Sequence, residues 1–361
     1  MPTSERWTMG VREQIEELVG MDKVGPGAPA DTPYVKARDW LLEEDPMQLQ
    51  KDSPFIVQRY LLALLYFSAD RDGEWRHCAP SDDEDDQECK AVVYDQEGMP
   101  YNDTFARMLS GASECDWYGV RCPGGDNFVR EIEMIENNMT GTLPSELAKM
   151  PVLQRLSFIM NELEGTLHAE FGDMKHLIDI EFHYNKFSGT IPDSFYNADN
   201  LIRLNLGGNM LDGTISPKIK NLRSLVGLFT FDNAFTGEIP KEIGELDYLS
   251  YTRFSYNEHN GTFPTEIGQL TNLIELYSQW NKFTGTLPPT IGELTYLEDF
   301  FVNNNEFRGT LPIKFYSMES LTYFYCFDNS FSGTISPLIK RLTNLERFII
   351  RRNYFTGTIP A

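Results

Sequence analysis

The chain has 361 residues, with 54 acidic against 31 basic side chains and a formal net charge of −23. That excess excludes unaided binding to nucleic acid or anionic lipid, polyanions that require Lys and Arg contacts, and leaves partners that are neutral, basic or bridged by cations. The charge is uneven: residues 1–136 hold 29 acidic and 13 basic side chains, net −16, leaving −7 for the rest, so an acidic N-terminal region precedes a milder array.

Residues 1–52 read as a polar, partly helical extension. Val11–Leu18 and Val35–Leu42 carry short helical apolar spacing on either side of the linker Gly25-Pro26-Gly27-Ala28-Pro29. Residues 53–128 read as a cap. Ser53-Pro54 is an N-cap with a first-turn proline, and Phe55–Phe67 is a strongly apolar helix. This helix contains Arg59 and is too short to span a bilayer, so it covers a hydrophobic core. No run of 18 apolar residues occurs, and Met-Pro-Thr-Ser-Glu-Arg-Trp lacks a basic segment followed by an apolar one. The expectation is a chain with neither signal peptide nor membrane span, any targeting segment or anchor lying outside it.

Four of the five cysteines, Cys78, Cys89, Cys115 and Cys122, precede residue 129. Close pairs in a cap are expected to form two disulfides, most economically Cys78–Cys89 and Cys115–Cys122, although four cysteines allow three connectivities. Zinc is the competing reading, and the short Cys-x-x-Cys pairs of structural sites are missing. Disulfides imply an oxidising compartment, extracellular or at the cell surface. The sequons at Asn102, Asn138 and Asn260 are compatible with a secreted glycoprotein. The acidic run Asp82–Asp86 reads as a solvated loop, because it lacks the alternating ligands and mid-loop glycine of an EF-hand.

From residue 129 to 361 the sequence is periodic. Asn137, Asn161, Asn185, Asn209, Asn233, Asn257, Asn281, Asn305, Asn329 and Asn353 stand 24 residues apart, each followed four residues later by glycine. An unbroken period means stacked supersecondary units, since one 24-residue unit cannot bury its own apolar face. Each unit opens with a strand: Leu201, Leu204 and Leu206 face the core and the intervening residues face out. The asparagines are expected to form an internal hydrogen-bond ladder, and Cys326, at a leucine position, to be a buried apolar thiol. The last residues, Ile359-Pro360-Ala361, fall in mid-repeat without a polar cap. Truncation, continuation of the natural chain, or homo-association through the open end are the expectations this raises.

Cys115-Asp116-Trp117-Tyr118-Gly119-Val120-Arg121-Cys122, behind an apolar helix and Trp75, resembles the N-terminal cap of plant-type leucine-rich-repeat proteins. The repeats match that family's pattern Leu-x-x-Leu-x-Leu-x-x-Asn-x-x-x-Gly-x-Ile/Leu-Pro, and Gln58–Phe67 resembles caps of diatom receptor-like relatives. The resemblance covers about residues 55–361. It implies an α/β solenoid: a right-handed superhelix of ten 24-residue repeats with a parallel concave sheet, a second short sheet, a 3₁₀ or irregular convex side, and a helical, disulfide-bonded cap. For function it implies a receptor-like or adhesion protein, a polygalacturonase-inhibitor-like binder of enzyme or polysaccharide, or an ice binder. Ice binding demands a regular polar array, which the outward strand columns lack.

Residues 24 apart lie side by side on adjacent parallel strands, about 4.8 Å apart, so outward positions read as columns. The first runs Glu131, Arg155, Asp179, Arg203, Gly227, Tyr251, Glu275, Asp299, Tyr323, Arg347. Its first four members alternate in sign and are expected to form an exposed ion-pair ladder. The other columns turn aromatic: Phe229, Tyr277, Phe301 and Tyr325; Phe231 and Phe327; Tyr256 and Trp280. With Tyr251 and Tyr323 these ten aromatics exceed an ordinary surface patch. They are the expected contact field for a protein or peptide ligand, with polysaccharide as the alternative and mutual stacking as the purely structural one.

Gly207-Gly208, flanked by His183 and Tyr184 and by Phe231 and Asp232, reads as a notch accepting a protruding ligand group. Asp179, Glu181 and His183 share a strand face, but flanking Arg155 and Arg203 favour charge pairing over a metal site. Gly-x-Ser-x-Gly, His-Glu-x-x-His and phosphate-loop motifs are absent, so the expectation is a binding protein with no catalytic residues, metal or cofactor.

Overall fold

A computed structural model describes residues 3–69, 75–79, 88–94 and 100–360; the acidic run Asp82–Asp86 lies outside them. The chain divides into two compact units, Met1–Gly165 and Thr166–Ala361.

In the first unit, helices Thr3–Val19, Met21–Val24 and Pro33–Asp39 lead through a π-helical turn, Trp40–Glu44, toward the apolar helix Ile56–Ala69. Thr32 caps the third of these, accepting a hydrogen bond from the Val35 amide with Pro33 in the first turn. Val11, Ile15, Val35, Trp40 and Leu41 are buried, so the first fifty residues contribute to this unit's core. At its centre Arg59 is 0% exposed. Its guanidinium donates to Asp45 at 2.8 and 2.6 Å and to the carbonyls of Ser110 and Ala112. The rings of Trp40 and Trp117 lie 5.3 and 4.7 Å from it. A buried cation is tolerable only when paired and hydrogen-bonded this fully. Disulfides join Cys78 to Cys89 and Cys115 to Cys122. Val120–Arg121 pairs antiparallel with Glu131–Glu133, which pairs in parallel with Arg155–Ser157.

The second unit is built on eight parallel strands at 24-residue register: Asp179–Glu181, Arg203–Asn205, Gly227–Phe229, Tyr251–Arg253, Glu275–Tyr277, Asp299–Phe301, Tyr323–Tyr325 and Arg347–Ile349. Short strands such as Lys282–Gly285 form further parallel pairs, and 3₁₀ turns such as Pro289–Glu293 complete each repeat. The asparagine ladder is made as its spacing requires. Asn281 Nδ2 donates to the carbonyls of Phe254 (2.8 Å) and Ser278 (3.2 Å), and its Oδ1 accepts from the His259 amide at 2.9 Å. Each side chain thus satisfies backbone groups that the stack would otherwise bury unpaired.

Two residues behind each ladder asparagine runs an internal spine that includes Phe235, Phe283, Phe307 and Phe331. His259 interrupts it. The imidazole is 0% exposed, stacked between Phe235 (6.2 Å) and Phe283 (5.8 Å), with Phe254 edge-on. Burial pushes its pKa down to about 4, against weaker upward pulls from the Gly237 and Thr236 backbone. Cys326 is a buried free thiol whose pKa burial raises strongly. Asn138 and Asn260 are exposed; the Asn102 backbone lies in the strand Pro100–Ala106. Among the described residues no helix is long and apolar enough to cross a membrane.

Candidate recognition surface

The outward face of the second unit carries two different constructions. The first is a recess of about 530 Å³ beside Gly227, the one member of the first column without a side chain. His183, Tyr184, Phe229, Phe231 and Tyr251 line it, joined by Arg203 and Arg253. Both arginines are already paired. Arg203 Nη1 lies 2.7 Å from Glu181 and its Nε 3.9 Å from Asp179; Arg253 donates to one Glu275 oxygen at 3.1 and 2.8 Å. The lining is therefore close to electrically neutral, with apolar rings between two ion pairs.

Charge pairing here differs from an exposed ladder within one column. Asp179 is buried, and the shorter bond of Arg203 runs diagonally to Glu181, two residues along the neighbouring strand. His183 sits with Nδ1 3.6 Å from Glu181. Burial lowers its pKa, opposed by Glu181 and reinforced by Arg203, so the ring is neutral at pH 7.

The glycine notch is corrected outright. A Cβ at Gly207 would collide with the Phe231 ring, and one at Gly208 would lie 2.5 Å from the Tyr184 ring. Tyr184 and Phe231 meet edge to face at 5.8 Å above these glycines. Gly207 and Gly208 therefore seat two aromatic rings, as Gly227 seats the Phe229 ring, 2.7 Å from where a Cβ would stand, and the open space lies among these rings and Tyr251.

The second construction is a stack. Tyr277, Phe301 and Tyr325 lie face to face with centroids 4.5 Å apart and planes within 11° and 5°. Strand spacing of about 4.8 Å admits one ring per strand with little room between, so a column of aromatics closes on itself. Arg253 caps one end, 4.9 Å from the Tyr277 ring and 5.7 Å from Phe229; at the other, Arg347 donates to the Tyr325 hydroxyl. The Tyr277 hydroxyl donates to Asp299 at 2.6 Å, and that of Tyr323 to Glu346 at 2.8 Å. Phe327 lies under Arg351 at 4.9 Å. Tyr256 and Trp280 form a separate stacked pair at 5.9 Å. Eight of the ten aromatics named from sequence are thus divided among a recess, a ladder and a pair, Tyr323 and Phe327 standing apart with Glu346 and Arg351, and reasoning by residue type overlooked Arg253, the cation joining the first two.

The family model described as Leucine Rich Repeat matches residues 200–222. No curated protein matches the chain. Among solved structures, the plant peptide hormone receptor RGFR1 in complex with RGF2 is 33% identical with a TM-score of 0.60, over 61% of this chain and 35% of its own. The Arabidopsis receptor kinase HAESA, solved with the peptide hormone IDA and the co-receptor SERK1, is 26% identical with a TM-score of 0.56, over 69% of this chain and 50% of its own. A plant ice-binding protein is 26% identical with a TM-score of 0.62, over 68% of this chain and 80% of its own. The chain spans about a third of the first receptor and half of the second.

Proposed function

This chain is a plant-type leucine-rich-repeat protein, and from that premise we propose that it is an extracellular recognition module, receptor-like or adhesive, gripping a peptide or protein segment at the recess lined by Phe229, Phe231 and Tyr251. One observation carries the site: a ring-lined hollow between two closed ion pairs opens on the outward strand face. An uncharged bulky side chain fits such a hollow, because desolvated aromatic pockets supply most of the energy of small interfaces. The two cap disulfides and the exposed sequons Asn138 and Asn260 support an oxidising, extracellular setting. The receptors it resembles were solved with peptide hormones, which supports a peptide over a polysaccharide in the recess.

Tyr251→Ala tests this. The Tyr251 side chain lines the recess and is only partly buried, so its loss removes a wall of the hollow without emptying the core. Peptides selected by phage display on the wild type are expected to lose at least about thirtyfold in affinity for Tyr251→Ala. Equal binding to both proteins removes the recess from the account.

Adsorption to ice is a second reading, favoured by a feature of the opposite edge of the repeat. Thr262, Thr286, Thr310 and Thr334 are exposed, one per repeat, and each methyl packs where the next repeat's glycine would carry a Cβ (2.6 to 3.0 Å). An ice-recrystallisation assay in which the wild type behaves like buffer excludes this reading; inhibition lost in Thr286→Tyr supports it.

A further inference from the structure

Asn205 lines the recess from the end of the strand Arg203–Asn205, where the register sets it between Glu181 on one side and Phe229 on the other. Both neighbours are engaged. Glu181 is held by Arg203 at 2.7 Å, and the Phe229 ring lies 5.7 Å from the Arg253 guanidinium.

The Asn205 amide has a fixed sense. Its Oδ1 accepts from the Gly207 main-chain N–H, two residues on, at 3.3 Å. A main-chain N–H can only donate, so the atom facing it is the oxygen, and Nδ2 with its two hydrogens is turned the other way. Among the described residues nothing accepts from Nδ2. The residue is only partly buried and Nδ2 is not closed off from solvent, so a ligand can reach it.

A donor held in place through its own oxygen, on the lining of a hollow, receives an acceptor with little further loss of side-chain freedom. The charge of that acceptor follows from the walls. Arg203 and Arg253 are committed to Glu181 and Glu275, so the lining offers an anion no unpaired guanidinium. A cationic head group carries no acceptor. A neutral carbonyl satisfies both conditions. We propose, resting on the peptide reading of the recess, that Asn205 is its polar anchor, donating from Nδ2 to an amide carbonyl of the bound segment, in the main chain or in an Asn or Gln side chain. The rings of Phe229, Phe231 and Tyr251 then cover the apolar body beside it.

Titration of phage-selected peptides against Asn205→Leu and Asn205→Asp tests the anchor. Leucine keeps the bulk and removes the donor; aspartate keeps an acceptor for Gly207 and turns a second acceptor toward the ligand carbonyl. Affinity is expected to fall about tenfold in Asn205→Leu and about thirtyfold in Asn205→Asp, with the circular dichroism of both matching wild type. Affinity within about twofold of wild type in Asn205→Leu, or tighter binding by Asn205→Asp, overturns the anchor. Alanine scanning of the peptide on wild type and Asn205→Leu separates the two sources of carbonyl. An Asn or Gln whose replacement costs affinity only on the wild type identifies a side-chain carboxamide, and a loss in Asn205→Leu that no peptide side chain shares identifies the main chain. A peptide weakened by Tyr251→Ala yet indifferent to both Asn205 variants retains the recess and removes the anchor, so the two readings fail separately.

Discussion

Two stretches of one sheet, built from the same 24-residue template, end in opposite states. Around residues 203–229 the concave face opens into a recess, whereas from 253 to 325 it closes into a stack of rings under a guanidinium. The difference rests on where glycine falls. Gly207, Gly208 and Gly227 let rings turn aside and lie across the backbone; without them, neighbouring aromatics have nowhere to go but against each other. A column's content of aromatics therefore says less about binding than its gaps do.

The cores behind the two stretches differ as well. Leu204, Leu206 and Leu228 back the recess, while Thr252, Ser278 and His259 are fully buried further on. The sharpest consequence is acid sensitivity. His259 titrates near 4 in the fold against about 6.5 unfolded, so the folded state binds the proton less well. Stability is complete above the unfolded pKa and falls as pH drops from about 6.5 toward 4, by about 3 kcal/mol. Urea unfolding of wild type and His259→Phe at pH 7 and pH 4.5 measures it. The variant restores the spine's usual residue and should lose most of that pH dependence; parallel curves for the two proteins contradict the assignment.

Phe301→Ala tests whether the ladder is a support. It removes the middle ring of three and should cost about 2 kcal/mol of stability, since this half-buried ring stacks on both faces. Peptide affinity at the recess should not change. A large loss of affinity without loss of stability makes the ladder a contact surface instead. The smallest expected effect is at Arg203, whose side chain is half exposed. Arg203→Gln should alter stability by less than about 1 kcal/mol, and a larger drop in chemical denaturation identifies the Glu181 pair as a structural lock.

Much of this architecture was legible because it is periodic. The asparagine spacing gives strand register, and the register gives the columns, including the one in which Tyr277, Phe301 and Tyr325 stack. Ring orientation was not legible. Whether Phe231 points into solvent or folds over Gly207 depends on side-chain rotamers and on Tyr184 two repeats away, which no spacing encodes. The buried cluster around Arg59 escaped for a related reason: its partners Asp45, Ser110 and Ala112 come from aperiodic segments, where distance along the chain carries no ruler.

Hydrogen–deuterium exchange with and without a phage-selected peptide bears most directly on the central claim, that the recess and not the ladder is the contact surface. Protection concentrated in residues 203–231, with 299–325 unchanged, is the predicted result. Protection centred on 299–325, with the strands around Gly227 exchanging as before, contradicts it.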